Sequence, residues 1–232
     1  MMQQLKQTYT IKTFDVGPMA NIIYIITDNK SKESAIIDPA WDMSEVYKYI
    51  GENNLILKKI LLTHSHHDHI NAIDEILISH DLEIHINKKE KVFWKKEYDS
   101  FVINHGGDTI KLGETEIRSL HTPGHTPGST CYHIGDDLIA GDTLFVFGCG
   151  RCDLHGGNPE EMFNTLKDIK MSLEPKTIIL PGHNYSIKRE STLQEEIQGN
   201  PFMKFNNLKK FIDYRMVLHD KVRRSPYGPM KS

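Results

Sequence analysis

The segment KKILLTHSHHDH, residues 58–69, constrains this chain more than any other. Its first half is a short apolar run that we predict to be a buried strand. On extended backbone His64 and His66 project to the same side. The turn into a following helix then brings Asp68 and His69 round as a second group. Imidazole and carboxylate groups are ligands that zinc and similar divalent metals prefer, so we predict a metal site here.

Three more candidate ligands follow predicted strands further along the chain. His125 lies in the loop HTPGHTPG, Asp142 follows the strand Leu138–Ala140, and His183 follows the strand Thr177–Leu180. Loops at strand ends are held by a rigid sheet and commonly carry function. A single loop histidine is usually a surface residue, but an ordered set of this size favours a metal site. The candidate ligands are His64, His66, Asp68, His69, His125, Asp142 and His183.

Strands alternate with helices over most of the chain, which indicates a layered α/β architecture. The predicted strands are Thr8–Val16, Asn21–Thr27, Ala35–Asp38, Lys59–Thr63, Glu83–His85, Thr115–His121, Ser129–Ile134, Leu138–Ala140 and Thr177–Leu180. The predicted helices are Met43–Glu52, Asn71–Ser79, Lys88–Lys96 and Pro159–Leu173. Asp42 and Glu45 fit a capping box for the first helix, and Asn158 is the expected N-cap of the last.

After Tyr185 the sequence becomes more polar and helical. Leu208, Phe211, Ile212 and Met216 recur at helical spacing, which predicts an amphipathic helix over Asn207–His219. We therefore divide the chain into a catalytic core, residues 1–185, and a helical extension, residues 186–232.

The composition excludes several functional classes. A net charge of −3 lacks the basic excess of most nucleic-acid-binding proteins, and no apolar run is long enough to span a bilayer. The chain begins without an apolar segment typical of a signal peptide. Its three cysteines give no disulfide framework, which favours a reducing compartment. We expect a soluble, cytoplasmic protein that binds neither nucleic acid nor membrane.

The ordered pattern H-x-H-x-D-H, then H, D and H, resembles that of metallo-β-lactamase-fold enzymes, and within them the glyoxalase II (hydroxyacylglutathione hydrolase) group. The resemblance covers almost the whole chain. It includes AGDTLF at 140–145, GCGR at 148–151, PGHNY at 181–185, STLQEE at 191–196 and NPF at 200–202. This resemblance implies an αββα sandwich with a short C-terminal helical extension and the site along one edge of the two sheets.

The same resemblance implies how the ligands are shared between two zinc ions, with iron or manganese as the alternatives. The first metal would be held by His64, His66 and His125, the second by Asp68, His69 and His183, and Asp142 would bridge them. Two such metals hold a bridging hydroxide at neutral pH, which would attack a thioester carbonyl. One metal would polarise the carbonyl oxygen, and Asp68 is a candidate for steering the proton.

The residues around GCGR narrow the choice of substrate. Arg151 and Tyr185 match positions that bind glutathione in glyoxalase II enzymes, but Asp153 stands where a tyrosine is expected. GCGRCDL together with the tail resembles the zinc hydrolases of trans-acyltransferase polyketide biosynthesis, which are taken to act on acyl-phosphopantetheine carrier proteins. A basic cluster in the tail would then meet an acidic carrier domain or a phosphate, the alternative being a solvated helix end at which the helix dipole favours cations. Its members are Lys221, Arg223 and Arg224.

Two alternatives of a different class remain open. GCGR-x-D also resembles persulfide dioxygenases, which hold one iron with two histidines and an aspartate. A non-catalytic metal-binding module is the other, although nothing structural requires seven such ligands together.

Cys149 and Cys152 have CxxC spacing, for which a glycine-rich packing loop is favoured over a redox or zinc role.

Overall fold

Two six-stranded β-sheets form the centre of the protein in a computed structural model, which describes residues 8–223 and 225–230. The first sheet has the order β1 (Tyr9–Val16), β2 (Asn21–Asp28), β3 (Glu33–Ile37), β4 (Ile56–Leu61), β5 (Glu83–Asn87) and β6 (Phe101–Asn104). The second sheet contains β7 (Thr109–Leu112), β8 (Thr115–His121), β9 (Thr130–Ile134), β10 (Asp137–Gly141), β13 (Ile178–Pro181) and β14 (Ser191–Thr192), in that spatial order. A small hairpin of β11 (Leu144–Phe145) and β12 (Gly148–Cys149) follows β10.

Helices cover the outer faces of both sheets. Before the second sheet come α1 (Ser44–Glu52), α2 (His67–Ile70), α3 (Ile73–Ser79) and α4 (Lys88–Trp94). Later in the chain come α5 (Pro159–Ser172), α6 (Leu193–Gly199), the 3₁₀ turn Pro201–Lys204, α7 (Leu208–Asp213), the π-helical turn Tyr214–Leu218 and α8 (His219–Val222). No helix of the described residues has the length and apolar character needed to cross a membrane.

Strand β2 shows how the layers pack, since all eight of its residues are buried. Ile22 and Tyr24 point to the second sheet, whereas Ile23 and Ile25 pack against α1 and α3 through residues such as Val46. A strand buried on both faces requires a layer on each side. A third cluster packs the second sheet against α5 and the tail helices. The predicted αββα sandwich is confirmed.

The carboxyl ends of β3, β4, β10 and β13 meet at one edge of the sandwich. Two hydrogen bonds join the sheets there: the Ile22 amide donates to the Gly182 carbonyl at 2.8 Å, and the Thr130 amide donates to the Thr63 carbonyl at 2.8 Å. Tyr132 reaches across from the second sheet and donates its hydroxyl to the Leu62 carbonyl at 2.8 Å. The loops that leave these strands are therefore held at fixed separations.

Two local predictions are wrong. Asp42 and Glu45 form no capping box, because the Asp42 carboxylate accepts the Ser44 amide at 2.9 Å and α1 begins at Ser44 without a side-chain cap. The second error is that the short strands β6, β7 and β14 and helix α6 were not among the predicted elements. By contrast Asn158 caps α5 as predicted, accepting the Glu160 amide at 2.9 Å.

The predicted helix over Asn207–His219 is present but is not α-helical throughout, since α7 ends at Asp213 and a π-helical turn follows. A π-turn takes more residues per turn than an α-helix, so the positions after it rotate relative to the predicted face. Met216 is 40% exposed, whereas Arg215 and His219, which follow buried Phe211 by four and eight residues, are buried.

The tail is tied closely to the second sheet and to the β11–β12 hairpin. Buried Glu196 on α6 accepts the Phe147 amide at 3.0 Å and the Ser191 hydroxyl at 2.6 Å, and Asn200 donates to the Gly148 carbonyl at 3.0 Å. Strand β14, which follows residue 185, also pairs with β13. The division of the chain at residue 185 stays a prediction.

Buried Asp28 joins two turns on the side of the sandwich that carries the β7–β8 hairpin. Its carboxylate accepts the Ser31 amide and hydroxyl, both at 2.8 Å, within its own turn. It also accepts the Glu114 amide at 3.1 Å and the Thr115 hydroxyl at 2.9 Å from the β7–β8 turn. Burial alone would raise the pKa of Asp28, but these donors outweigh it and lower the pKa to about 2.

We expect the Asp28 contacts to make stability sensitive to acid. A carboxyl group whose pKa is lower in the folded than in the unfolded chain stabilises the fold above its unfolded pKa, near 3.8, and loses that contribution as the pH falls to about 2. The shift corresponds to about 2 kcal/mol. Urea unfolding of the wild type and Asp28→Asn at several pH values should show a stability difference that shrinks by this amount between pH 5 and pH 2. A difference independent of pH would contradict the role of the ionised carboxylate.

Candidate metal centre

The seven predicted ligands come together at the shared edge of the two sheets. His64 and His66 leave the end of β4, and His125 lies in the loop after β8. The His66 Nδ1 and His125 Nε2 atoms are 2.9 Å apart, and the His64 ring packs edge-on against both rings. One ligand atom from each of the three lies within 4.8 Å of the others. This first set is a compact group of three imidazoles.

A second set lies beside the first. His69 from α2 and His183 from the loop after β13 place their Nε2 atoms 3.1 Å apart. The Asp68 Oδ2 atom is 3.4 Å from the His183 Nε2 and 3.6 Å from the His69 Nε2. Spacing along the sequence could not have shown that His183 meets the pair from α2, because more than a hundred residues separate them. The family resemblance implied this grouping, and the fold brings the three residues together.

Asp142 lies between the two sets. Its Oδ1 atom is 3.4 Å from the Nε2 atoms of both His69 and His183, whereas its Oδ2 atom is 3.6 Å from the His125 Nε2. Each carboxylate oxygen therefore faces a different set. A carboxylate placed in this way suits a ligand shared by two metal ions.

The outer ring nitrogens of two histidines are fixed by backbone carbonyls. The His125 Nδ1 lies 2.8 Å from the Arg151 carbonyl oxygen, and the His183 Nδ1 lies 2.8 Å from the Met19 carbonyl oxygen. A carbonyl only accepts, so each Nδ1 must carry the proton. The unprotonated Nε2 of each ring then faces the centre of the site, as a metal ligand requires.

Asp38 fixes the outer ring nitrogens of His64 and His69, and it was not predicted from the sequence as a site residue. Its Oδ2 atom lies 3.0 Å from the His69 Nδ1 and accepts the Thr63 hydroxyl, whose oxygen lies 3.0 Å from the His64 Nδ1. Asp38 is 4% exposed and has a left-handed backbone, φ 51°, directly after β3. The sequence feature that indicates Asp38 is an acidic residue at the end of the strand next to β4.

Asn21 orients Asp68 from the start of β2. Its Nδ2 donates to the Asp68 Oδ2 at 3.0 Å and to the Asp68 backbone carbonyl at 2.9 Å. The Asn21 Oδ1 in turn accepts the Trp41 indole N–H at 2.9 Å, which fixes the orientation of the amide. This residue was also missed, because asparagine at the start of a strand has no distinctive pattern.

Glu90, the third missed residue, ties together the loops that carry His66 and His125. It is 1% exposed and comes from the first turn of α4. One carboxylate oxygen accepts the Ser65 amide at 2.8 Å and the Ser65 hydroxyl at 2.6 Å. The other accepts the Thr126 hydroxyl at 2.7 Å and the Gly128 amide at 3.0 Å. The helix predicted over Lys88–Lys96 thus contains one buried acid that supports the site.

The charges and unpaired atoms of the centre fit bound cations. Burial lowers the pKa of His64 and His66, and lowers that of His125 to about 4, so these rings are neutral and able to bind metal. Burial also acts to lower the pKa of His69, but Asp142 and Asp38 raise it to about 9. The carboxylates around His69 therefore favour positive charge at the centre of the site.

Two buried atoms at the centre have no hydrogen-bond partner among residues 8–223 and 225–230, namely the His64 Nε2 and the Asp142 Oδ1. Both are ligand-type atoms and both point into the group described above. Buried polar atoms are nearly always satisfied, so such a pair indicates a missing partner. The residues present fit divalent metal ions.

The site opens into a cavity of about 770 Å³ between the metal-ligand loops and the tail. Arg151 and Tyr185, the predicted substrate-binding residues, both line it. Tyr185 stacks on the His183 ring, with centroids 4.6 Å apart and planes at 9°. The Arg151 guanidinium is 57% exposed and forms a two-pronged ion pair with Asp153 at 3.0 and 2.7 Å. An exposed pair of this kind is weak enough for a substrate anion to displace it.

Other residues singled out in the sequence have different surroundings. Cys149 and Cys152 are buried free thiols, and burial raises the pKa of both, to about 12 for Cys152. Arg223 lines the cavity and donates to the Tyr227 hydroxyl at 3.0 Å, whereas Lys221 is exposed. Arg224, the third member of the predicted basic cluster, lies outside the described residues.

Comparison with known proteins agrees with the fold and the site. The model of the metallo-beta-lactamase superfamily matches residues 16–183. The chain therefore belongs to the metallo-beta-lactamase superfamily, and its site is that of a metallo-hydrolase. The predicted membership of this family is confirmed.

Two curated proteins and one solved structure illustrate what the chain is similar to. "Probable polyketide biosynthesis zinc-dependent hydrolase PksB" of Bacillus subtilis is 31% identical over 209 residues, which cover 90% of this chain and 92% of that protein. A hydroxyacylglutathione hydrolase of Psychromonas ingrahamii is 32% identical over 184 residues, covering 78% and 67%. The crystal structure of ETHE1 from Myxococcus xanthus has a TM-score of 0.82 at 26% identity, covering 90% of this chain and 91% of that one.

Proposed function

We propose that this protein is a two-zinc hydrolase of acyl thioesters that acts on acyl groups carried by a phosphopantetheine arm. The observation that carries the proposal is the position of Asp142 between two complete three-residue sets, with one oxygen toward each. A mononuclear centre has no need of the second set. When bound, the two metal ions would activate water for attack and polarise the thioester carbonyl.

The protein's own residues would arrange the reaction around that centre. Asp68 is only partly buried, faces the cavity and is held by Asn21, so it is placed to accept a proton from the attacking water. Burial raises the pKa of Tyr185, so its phenol stays protonated and can donate a hydrogen bond to the substrate. A thiolate is a good leaving group and needs little protonation. No nucleophilic side chain is therefore required.

The choice of a phosphopantetheine carrier rests on the cavity and on the similarity to PksB over nine-tenths of both chains. Arg151 and Arg223 are exposed residues at the cavity. They are suited to the phosphate of the arm, since arginine binds phosphate through paired N–H donors. Arg223 and Lys221 would then face an acidic carrier protein.

Thiol release tests the proposal. The zinc-loaded protein is incubated separately with an acyl-phosphopantetheine carrier protein and with S-lactoylglutathione, and metal content is measured on the same sample. Carrier turnover with about two zinc ions per chain supports the proposal. Preference for the glutathione ester would assign the chain to glyoxalase II activity instead.

An iron-dependent persulfide dioxygenase is the second candidate, favoured by the structural similarity to ETHE1. Release of no thiol from either ester, a single iron per chain and oxygen uptake with a persulfide would establish it in place of the hydrolase. A metal-binding module without catalysis would give none of these activities.

Arg151→Ala should weaken substrate binding more than it slows the chemical step. Arg151 lines the cavity but contacts none of the seven candidate ligands through its side chain, and its ion pair with Asp153 leaves it more than half exposed. We expect KM to rise about tenfold and kcat to change less than about threefold. Steady-state kinetics with the carrier thioester measures both. An unchanged KM would remove Arg151 from the substrate site.

A further inference from the structure

Arg215 is a buried cation at the cavity wall that neither the metal centre nor the proposed phosphate contacts account for. It lies in the π-helical turn and is 3% exposed, yet it lines the cavity. Its Nη1 is 3.0 Å from the His219 Nδ1 and its Nη2 is 3.4 Å from the Asp220 Oδ1. Its Nε has no hydrogen-bond partner among the described residues. π-turns inside helices frequently mark functional positions.

The charge of Arg215 is poorly balanced by its neighbours. Asp220 is 56% exposed, and its Oδ1 atom is also 3.9 Å from the Arg223 Nε. Burial lowers the pKa of His219 to about 4, so this neighbour is neutral. The Cys149 thiol is close enough for Arg215 to lower its pKa, but burial dominates and keeps the thiol protonated. The guanidinium also lies over the Phe202 ring, 5.5 Å from its centroid. Neither neighbour supplies a full negative charge. A buried guanidinium is costly without a buried anion, so a ligand is expected to supply one.

We propose that Arg215 binds an anionic group at the far end of the acyl chain, so that the preferred substrates are thioesters of dicarboxylic acids. The inference rests on the proposed thioesterase function and names its substrate class. Arg215 is matched to a carboxylate because the guanidinium presents parallel donors, one of which is still free.

The burial of Arg215 separates this anion from the phosphate of the carrier arm. That phosphate is bonded to the carrier protein and is expected to stay with the exposed residues Arg151 and Arg223, whereas Arg215, which shares the Asp220 carboxylate with Arg223, is buried. A group that reaches a side chain only 3% exposed enters the cavity ahead of the thioester or beside it. The acyl chain is the part of the substrate that can do so.

Matched thioesters test the proposal. Glutaryl- and pentanoyl-pantetheine have the same chain length and differ in one terminal carboxylate. We expect the zinc-loaded wild type to prefer the glutaryl ester in kcat/KM by about tenfold or more, which is the range for a hydrogen bond to a charged group. Arg215→Met should remove that preference by raising the KM of the glutaryl ester, and Arg215→Lys should restore part of it.

Two controls separate binding from folding. Lys209→Met removes an exposed cation on α7 that does not line the cavity and should leave the preference unchanged. Thermal unfolding of Arg215→Met should show a melting temperature no lower than that of the wild type, because an unbalanced buried charge is lost. Equal slowing of both esters together with a lower melting temperature would make Arg215 a structural residue and overturn the inference.

The remaining outcomes are also distinct. If Arg215→Met changes the preference for phosphopantetheine over pantetheine but not for glutaryl over pentanoyl, the anion is the phosphate and the inference is wrong. If the wild type hydrolyses neither ester, the thioesterase proposal fails. Calorimetric binding of free glutarate to the metal-loaded protein then decides about Arg215: affinity about tenfold weaker in Arg215→Met upholds an anion site, and equal affinity refutes it.

Discussion

Asp142→Ala should abolish hydrolysis and reduce the metal content of the protein. Asp142 is the one residue whose carboxylate faces both three-residue sets, and its Oδ1 is a buried atom with no hydrogen-bond partner among the described residues. Its removal leaves two sets of ligands that no longer share an anion, and each metal loses a ligand. We expect activity to fall by about a thousandfold or more. Thiol release and metal analysis on the same preparation measure both effects.

Asp168→Ala is the matched control, because Asp168 is an exposed aspartate on α5, away from the centre. It should keep full metal content and full activity. If Asp142→Ala bound the same amount of metal as this control and hydrolysed the thioester at the same rate, the assignment of Asp142 as a shared ligand would be wrong.

The second large effect concerns Glu90, which is not a candidate ligand. Glu90→Ala leaves four donors without an acceptor, from Ser65, Thr126 and Gly128. Buried donors without partners and the loss of a charged acceptor together should lower the free energy of unfolding by about 3–5 kcal/mol. Because Ser65 lies between two candidate ligands and Thr126 follows His125, metal affinity should fall as well.

Denaturant unfolding with and without added zinc measures both consequences. Glu97→Ala provides the comparison, because Glu97 is 76% exposed and its ion pair with Lys91 should contribute less than about 1 kcal/mol. Equal stability of the two variants would mean that the loops around His66 and His125 are held by something other than Glu90.

The candidate site was more predictable from the sequence than the residues that support it. Histidine and aspartate in H-x-H-x-D-H carry a chemical pattern that needs no structure to notice, and the strand before it fixes where the pattern lies. Asp38 and Glu90 carry no such pattern, because their roles depend on which loops face them after folding. Contacts between distant segments are set by the sheet topology and cannot be found from local spacing.

The tail shows the same limit for the fold. Helical spacing of Leu208, Phe211 and Ile212 correctly indicated a helix with a buried face. It could not indicate the π-turn, since an extra residue in one turn changes hydrogen bonding without changing the sequence pattern before it. Arg215 follows buried Phe211 by four residues and is buried as well, and that residue is the one on which the substrate inference depends.

The route of the chain gives chemistry to one stretch of sequence and, apart from Arg151, the residues proposed for recognition to another. All seven candidate ligands lie within residues 64–183, whereas Tyr185, Arg215, Arg223 and Tyr227 close the cavity from the segment that follows. That segment is attached through the β11–β12 hairpin and β14 rather than through the ligands. Sequence change confined to about one-fifth of the length would therefore alter what the cavity accepts, while the candidate metal ligands stay unchanged.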